Sequence, residues 1–489
     1  MTESLLFEIS RPGRRAAVLP GLDVPPTDLP TGLVRDDLPL PEVSEQDLVR
    51  HYTRLSQLNY GVDIGLYPLG SCTMKYNPKI NEEMARLPGF ARIHPYQDEE
   101  TVQGALFLMY HLQEFLAEIG GFAAVSLQPA AGAHGEFTGV LMMRAYHLDR
   151  GDTERDVILV PDSAHGTNPA STSMSGLRAV QITSDERGNV DLALLEKACI
   201  EHSDHLVGMM LTNPNTLGLF DEHVEEITSL VHEHGGLMYG DGANMNALLG
   251  IARPGDLGFD VLHYNLHKTF STPHGGGGPG SGPVGAGPLL ADFLPGPIVD
   301  VASEQSDDED ALYTFVNPSK SIGRMKAFYG HFGVLVRAYT YIRMLGPDGL
   351  RRVAEHAVLN ANYIMSRVKD TYHVPFERTC MHEFVCEGHF KDAPDVHALD
   401  IAKRLIDYGF HPPTNYFPLI VHEALMIEPT ETESVETLDA FADTLLRIAE
   451  EAHTDPDLLH KAPHEAPLRR LDEVRAAKQL ILRWQPDGG

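Results

Sequence analysis

A lysine and an aspartate each stand at the end of an apolar segment in this chain of 489 residues, and both side-chain types can take part in catalysis. Asp241 follows the run Leu-Met-Tyr-Gly, and Lys268 closes an apolar, aromatic segment that begins at Phe259. Desolvation at such a position favours the neutral amine of the lysine, which is its nucleophilic form. The pair therefore indicates covalent chemistry through the amine of Lys268.

Small and polar residues follow three other apolar runs. The carboxyl ends of parallel strands meet at one edge of a sheet, where α/β proteins bind their ligands. A helix that begins near Gly135 would offer free N–H groups to a phosphate, and small residues before it let a ligand approach the backbone. The residues concerned are Gly132, Ala133 and His134 after the first run, His165 after the second and Asn213 after the third. They are candidates for one shared ligand site, and capping loops without a function are the alternative interpretation.

Pyridoxal 5′-phosphate (PLP) is a cofactor that requires this whole set. It needs a lysine for a Schiff base, an acid beside its pyridine nitrogen, a phosphate cradle and contacts to its ring. The sequence Asp241-Gly-Ala243, followed by His267-Lys268, resembles the D-x-A and HK pattern of fold-type I PLP-dependent enzymes. A core lysine together with a solvated aspartate is the alternative. The combination favours a PLP site.

The elements that must position these residues alternate between helix and strand from about residue 100. Helical patterns are predicted over 101–118, 136–149, 191–202 and 221–234. Short apolar runs predict buried strands at 123–127, 157–161, 207–211 and 237–239. This alternation predicts an α/β fold with a mostly parallel sheet.

Three regions are expected along the chain. Residues 1–75 begin with a proline-rich stretch that excludes long helices, and they are expected to form an extended N-terminal arm and interface segment. Residues 76–332 carry the alternating pattern and are expected to form the PLP-binding large domain. Residues 333–489 hold long helical patterns and short strand-like pieces, which predict a smaller C-terminal α+β domain and a tail.

Composition argues against several classes of function. The chain has 38 Lys and Arg against 69 Asp and Glu, and its net charge of -31 repels nucleic acid and anionic membranes. The sequence holds no long apolar run and starts without a signal-peptide pattern, so a cytoplasmic location is expected. The four cysteines form no zinc spacing and HExxH is absent, so no metal is expected.

Long motifs spread over nearly the whole chain resemble the P-protein of the glycine cleavage system. They lie at 67–78, 129–136, 162–169, 241–246, 265–278, 410–414 and 428–431. In that family some organisms use one long chain and others split it into two subunits. This sequence is similar to the PLP-carrying second subunit of the split form.

The resemblance implies catalytic roles for four of the candidates. Lys268 would bind PLP covalently, and Asp241 would keep the pyridine nitrogen protonated through a charge-assisted hydrogen bond. His134 and Ala243 would lie on the two faces of the ring.

The resemblance also implies the other cofactor contacts. The amides of Gly132 and Ala133, with groups near His267 and Thr269, would bind the phosphate. His165 and Asn213 are candidates for the O3′ side of the cofactor or for the substrate. Ser71 and Cys72 either close the site, or Cys72 is a buried structural thiol.

The implied activity is oxidative decarboxylation of glycine. CO2 is released, and the aminomethyl group passes to the lipoamide of H-protein, the co-substrate. The implied partners are P-protein subunit 1, in an α2β2 heterotetramer, and lipoylated H-protein. A PLP enzyme that acts on free amino acids, such as a decarboxylase or an aldolase, and a non-catalytic binding subunit are the alternatives.

A glycine-rich segment follows the lysine at 274–287. It lacks the strand–helix context of a dinucleotide-binding loop, so a nucleotide cradle is not predicted. It is either a flexible connection or the lining of a path along which the lipoyl arm approaches PLP.

Overall fold

The computed structural model describes residues 3–35, 38, 40–302 and 311–483. The chain divides into two compact units. One is Gly65–His460, and the other combines Met1–Ile64 with Lys461–Gly489. The expected domain boundaries after residues 75 and 332 stay predictions.

The unit formed by Gly65–His460 contains a seven-stranded sheet with the strand order β1-β7-β6-β5-β4-β2-β3. Strands β2 to β6 run parallel, and β7 is antiparallel to both β1 and β6. The strands are β1 (Ala124–Ser126), β2 (Val157–Pro161), β3 (Arg178–Ile182), β4 (Leu206–Leu211), β5 (Leu237–Gly242), β6 (Val261–Tyr264) and β7 (Val284–Ala286). All the carboxyl ends of the parallel strands therefore lie at one edge.

Both faces of this sheet are covered, as the continuous apolar runs predict. In β2, Val157 and Leu159 belong to one apolar core, whereas Ile158 and Val160 belong to the other. Successive side chains of a strand point to opposite faces, so each run supplies both cores.

Helices of the same unit cover the sheet and build the rest of the unit. They are α3 (Lys79–Ala85), α4 (Pro88–Ala91), α5 (Gln103–Gly120), α6 (Gly132–Asp149), α7 (Thr167–Met174), α8 (Leu192–Glu201), α9 (Val224–Glu233), α10 (Phe332–Val368), α11 (Ala398–Asp407), α12 (Val435–Thr454) and α13 (Pro456–His460). α10 is interrupted at Gly346, whose φ of 61° and ψ of -177° are not helical, just before Pro347. Long helical patterns, as predicted for the region after residue 333, are confirmed here.

Two small antiparallel sheets complete the unit. β8 (Ile298–Val301) pairs with β9 (Tyr313–Val316). A three-stranded sheet has the order β10-β12-β11 and consists of β10 (Phe384–Glu387), β11 (Thr414–Asn415) and β12 (Ala424–Ile427). Two of its strands, β10 and β12, share an apolar core with α10 to α13.

In the second unit the described residues form the helices α1 (Leu6–Ile9), α2 (Glu45–Gln57) and α14 (Glu473–Lys478). Ser44 caps α2 by accepting a hydrogen bond from the amide of Asp47. Between α1 and α2 the described residues form no helix or strand, as the proline content predicts.

Most predicted elements of the large sheet are confirmed within two residues, but two differences concern the site. α6 begins at Gly132 rather than at Glu136, so its first turn includes the small residues. β3 and the antiparallel β7 were not predicted, because three of the five residues of β3 are exposed and β7 has only three residues. Among the described residues, no helix is long and apolar enough to cross a membrane.

Candidate active site

A cavity of about 450 Å³ lies at the carboxyl edge of the large sheet. β5 carries Asp241 to its wall, and the turn after β6 carries Lys268. Gly132 and Ala133, at the start of α6, line it as well. The strand ends thus converge on one space, as the parallel topology requires.

Asp241 is 7% exposed and is held as an anion. Its carboxylate accepts hydrogen bonds from the side-chain amide of Asn168 at 3.2 Å and from the backbone amide of Ala243 at 3.0 Å. Burial opposes ionisation, but the nearby His263 and these donors lower the pKa of Asp241 below its usual value. A buried carboxylate kept ionised in this way can stabilise a cationic ring nitrogen in the cavity.

The amine of Lys268 donates a hydrogen bond to the carbonyl of Ser71 at 2.7 Å. Ser71 lines the cavity, and the turn that contains it is strained, with φ of 66° at Ser71 and 47° at Thr73. Two buried carboxylates hold this turn, because Glu383 accepts from the amide of Ser71 and Glu428 from the amide of Thr73. The turn therefore places a hydrogen-bond acceptor at the amine of Lys268.

The start of α6 offers backbone donors to the cavity. No side chain caps this helix, and its first intrahelical bond is donated by Gly135 to Ala131. A Cβ at Gly132 would lie 2.3 Å from the Oδ1 atom of Asn265, so only glycine fits there. Free N–H groups at a helix start, with their partial positive charge, are suited to a phosphate.

Four histidines of the cavity wall share one electrostatic property. Burial lowers the pKa of each of them, to about 3 for His267 and to about 4 for His274. The pKa of His165 and of His263 is lowered as well, again mainly by burial. His267 and His274 are therefore neutral near pH 7.

Proteins with named functions are similar in sequence to this chain over nearly its whole length. Residues 353–464 match the family described as glycine dehydrogenase, C-terminal domain. A probable glycine dehydrogenase (decarboxylating) subunit 2 of Caldanaerobacter subterraneus subsp. tengcongensis is 60% identical over 488 residues, which cover 98% of either chain. The protein of that name in Pyrococcus horikoshii is 56% identical and covers 99% of this chain and 96% of its own. The chain belongs to the glycine dehydrogenase (decarboxylating) subunit 2 family.

Solved structures share the fold of this family member. A glycine decarboxylase (P-protein) of the glycine cleavage system, in inhibitor-bound form, superposes with a TM-score of 0.69 at 20% identity, covering 87% of this chain and 92% of that one. A cysteine desulfurase from Thermococcus onnurineus NA1 gives a TM-score of 0.60 at 16% identity, with coverages of 81% and 98%. The predicted fold class is confirmed. It is that of the fold-type I PLP-dependent enzymes, with a mostly parallel sheet and a smaller C-terminal domain.

Seven of the ten predicted site residues line the cavity. They are Gly132, Ala133, His165, Asp241, Ala243, His267 and Lys268. The roles proposed for these residues stay predictions.

The other three predicted site residues, and Cys72, are not among the lining residues. Nδ1 of His134 accepts from the amide of Ala130, and Oδ1 of Asn213 accepts from the amide of Asp221. The hydroxyl of Thr269 accepts from the amide of Met245, and Cys72 is half-buried, with a pKa raised by burial. The roles proposed for these residues also stay predictions.

The ionisable residues of the cavity wall that were not predicted as site residues include Glu136, His382 and Glu383. Glu136 lies one turn after Gly132 in α6, and a helix start at Gly132 would have placed it on the same face. His382 and Glu383 precede β10, far along the chain from the strands of the large sheet, and no sequence pattern connects them to the site.

Glu136 and Asp241 are both buried carboxyl groups of the cavity wall, but they differ in pKa. Burial, with a contribution from Asp241, raises the pKa of Glu136 to about 7. One oxygen of Glu136 accepts from the hydroxyl of Thr167 at 2.9 Å, and the other has no hydrogen-bond partner among the described residues. The proton of the pair therefore resides on Glu136, whereas Asp241 carries the charge.

This raised pKa predicts how stability depends on pH in the cofactor-free chain. Between about pH 4.5 and pH 7 the folded chain keeps a proton on Glu136 that the unfolded chain releases, so the free energy of unfolding falls as the pH rises. Urea titrations at the two pH values give the change in the free energy of unfolding. We expect this change to be smaller by about 1–3 kcal/mol in Glu136→Gln than in the unmodified chain. Glu225→Gln, an exposed change on α9, should leave the slope unchanged. An unaltered slope in Glu136→Gln would contradict the assignment.

Proposed function

We propose that this chain is the PLP-carrying subunit of a two-subunit glycine dehydrogenase (decarboxylating), which releases CO2 from glycine and transfers the aminomethyl group to the lipoamide of H-protein. One observation carries the proposal. An ionised buried aspartate, a lysine amine and an uncapped helix start face the same cavity. PLP has a group to match each of them, namely its ring nitrogen, its aldehyde and its phosphate.

The residues present match the chemical groups of PLP. Asp241 would hold the ring nitrogen, Lys268 would carry the cofactor covalently, and the amides of Gly132 and Ala133 would bind the phosphate. The space beside Asn265 is too small for a side chain at position 132. Because Gly132 has none, a ligand can approach the backbone there. Ala243 lines the cavity and, with His134, is proposed to contact the ring.

Bound PLP supplies an electron sink for the pair of electrons that remains when the bond between the α-carbon and the carboxylate of glycine breaks. Asp241 keeps that sink effective, because its charge favours the protonated ring nitrogen. The carbonyl of Ser71 orients the amine of Lys268 when that amine is free. His165 and Asn213 stay candidates for contacts to O3′ or to the substrate.

In the transfer to H-protein, the α-carbon of glycine is oxidised and the lipoyl disulfide is reduced. The aminomethyl carbon forms a bond to one lipoyl sulfur, the S–S bond breaks, and the other sulfur leaves as a thiol. The lipoyl arm needs a path from the protein surface to the cavity. Residues 275–279 are exposed, and Gly277, Gly278 and Pro279 also line the cavity, so this glycine-rich loop lies at its mouth.

A bulky residue in the loop should block this path. A Cβ at Gly278 meets nothing closer than 3.4 Å, and its φ is not in the left-handed region, so Gly278→Leu should fold normally. We expect the visible PLP spectrum to be unchanged and transfer to H-protein to fall about a hundredfold, since a displacement of about 1 Å at the reacting atoms has that cost.

The control for the loop is Gly104→Leu, the same substitution at an exposed position of α5 where a Cβ meets nothing within 4 Å and which does not line the cavity. Transfer should be nearly unchanged in this variant. Loss of PLP from Gly278→Leu, with normal transfer per bound cofactor, would show instead that the loop shapes the phosphate site.

The second unit supports the proposed partner subunit. In the described part of the N-terminal arm, Val18, Leu19 and Leu22 are 83%, 86% and 77% exposed. Apolar side chains that are exposed over a proline-rich segment favour wrapping around another chain. We propose that this chain assembles with P-protein subunit 1 in an α2β2 heterotetramer, and that it acts in the cytoplasm.

The function is tested by the exchange of labelled bicarbonate into glycine. We expect exchange when this chain, its partner subunit, PLP and lipoylated H-protein are combined, and at most a few per cent of that rate when either the partner or the lipoyl group is left out. Exchange at full rate without the partner would contradict the two-subunit proposal. Decarboxylation of free amino acids without H-protein would support the alternative PLP enzyme, and a chain that never develops a visible PLP spectrum would support the binding subunit.

A further inference from the structure

His382 is a buried cavity residue whose ring lacks hydrogen bonds. It is 2% exposed and lines the cavity with Lys268. Neither ring nitrogen has a hydrogen-bond partner among the described residues, although Nε2 lies 3.5 Å from Oε1 of Glu383, an ion-pair distance. Buried polar groups nearly always form hydrogen bonds, so a buried imidazole that faces a cavity without one indicates a missing ligand.

The position of this ring is fixed by its backbone neighbours. The amide of Met381 donates to the carbonyl of Gly218 at 2.7 Å. Gly218 has a φ of 76°, and a Cβ there would lie 1.9 Å from the carbonyl oxygen of Glu383. The close approach of the two segments requires this glycine, and it holds His382 against the wall of the cavity.

Charge separates His382 from the other cavity histidines. Burial disfavours its charged form, but the carboxylates of Glu383 and Glu428 raise its pKa above the usual value of histidine. The other four cavity histidines have lowered pKa values. No arginine is present among the described residues that line the cavity. His382 is thus the one histidine of the described wall whose charged form is favoured by its neighbours, which suits it to meet an anion.

We propose that His382 holds the carboxylate of the glycine substrate. This inference rests on the proposed function, because it names the partner of the substrate's anionic group in the same cavity. Glu383 compensates the charge of the imidazolium, so the carboxylate is positioned but less stabilised than by an unpaired guanidinium. Weak stabilisation of the ground state suits a carboxylate that must leave as CO2.

The test compares two amines in the PLP-loaded complex of this chain and its partner subunit. Both glycine and methylamine can react with the cofactor, but only glycine carries a carboxylate. Each is titrated, and the change in the visible spectrum gives its apparent affinity. For His382→Asn and His382→Gln we expect glycine to bind about 10- to 100-fold more weakly and methylamine to bind as before.

The matched control is His389→Asn. His389 follows β10, lines a different cavity and has an unpaired Nδ1, so the same substitution is made in a comparable setting. Both titrations should be unchanged in this variant. An equal loss for both amines, no loss for either, or loss of PLP itself from both His382 variants would overturn the proposal.

A metal ion bound by His382, Glu383 and Glu428 is the competing explanation, since their ligand atoms lie within 4.8 Å of one another. The unmodified complex is therefore dialysed against a chelator. If this treatment weakens glycine binding as much as His382→Asn does, the proposal is overturned. An unmodified complex whose spectrum responds to neither amine would contradict the proposed function. Responses to both amines that are identical in the unmodified complex and the His382 variants would contradict only the role of His382.

Discussion

Asp241→Asn is expected to keep PLP but to lower the rate of glycine–bicarbonate exchange by about a thousandfold. The asparagine can still donate or accept one hydrogen bond at the ring nitrogen, and the contacts to Lys268 and the start of α6 are untouched. A neutral amide cannot favour the protonated ring nitrogen, so the electron sink is weakened. The measurement is the exchange rate per bound cofactor, with the visible spectrum as the check on occupancy.

Asp260→Asn is the matched control for this prediction. Asp260 directly precedes β6, at the opposite edge of the same sheet, and its carboxylate accepts a hydrogen bond from the amide of Met238 at 2.7 Å. An asparagine retains an acceptor oxygen there, so exchange per bound PLP should be nearly normal. Retention of most activity by Asp241→Asn would show that another group, with Glu136 the nearest candidate, keeps the ring nitrogen protonated.

Lys268→Ala should abolish covalent trapping of PLP by borohydride and reduce exchange to background. The amine of Lys268 reaches the cavity, where it donates a hydrogen bond to the carbonyl of Ser71, so it is accessible to an aldehyde. In the unmodified chain, peptide mapping after reduction should find the adduct on Lys268 alone.

Two other lysines serve as comparisons for the assignment of the adduct to Lys268. Lys75 is also buried, but its amine forms an ion pair with Glu431 at 2.6 Å and donates to the carbonyl of Thr269 at 2.9 Å. Lys320 is exposed and pairs with Asp149, and Lys320→Ala is the control that should trap PLP normally. An adduct on any lysine other than Lys268 would refute the proposed cofactor linkage.

Much of the site could be predicted because its residues follow strands whose sequences are distinctive. Asp241 and Lys268 come after apolar runs that are long enough to be buried on both faces, and parallel strands bring their carboxyl ends together. The same rule led to His165 and to the small residues at the start of α6. His134 lies in the first turn of that helix but is not among the lining residues of the cavity, and its contact with the cofactor ring stays a prediction.

Charge states could not be predicted from spacing. Asp241 and Glu136 are both buried carboxylates, yet one has a lowered and the other a raised pKa, because only Asp241 receives both the amide of Ala243 and the proximity of His263. His382 differs from the other cavity histidines for a similar reason, since Glu383 and Glu428 surround it. Each difference depends on neighbours that are remote along the chain.

Residue types and local patterns were thus sufficient for the α/β architecture, the strand ends and the lysine–aspartate pair, since hydrophobic periodicity and strand direction are local properties. The folded chain alone revealed how Glu383 and Glu428, from the segments around the small sheet, hold the strained turn at Ser71 and Thr73 over Lys268. It also revealed the unpaired ring of His382 in the cavity wall. These contacts join residues more than three hundred positions apart, and only the tertiary packing brings such residues together.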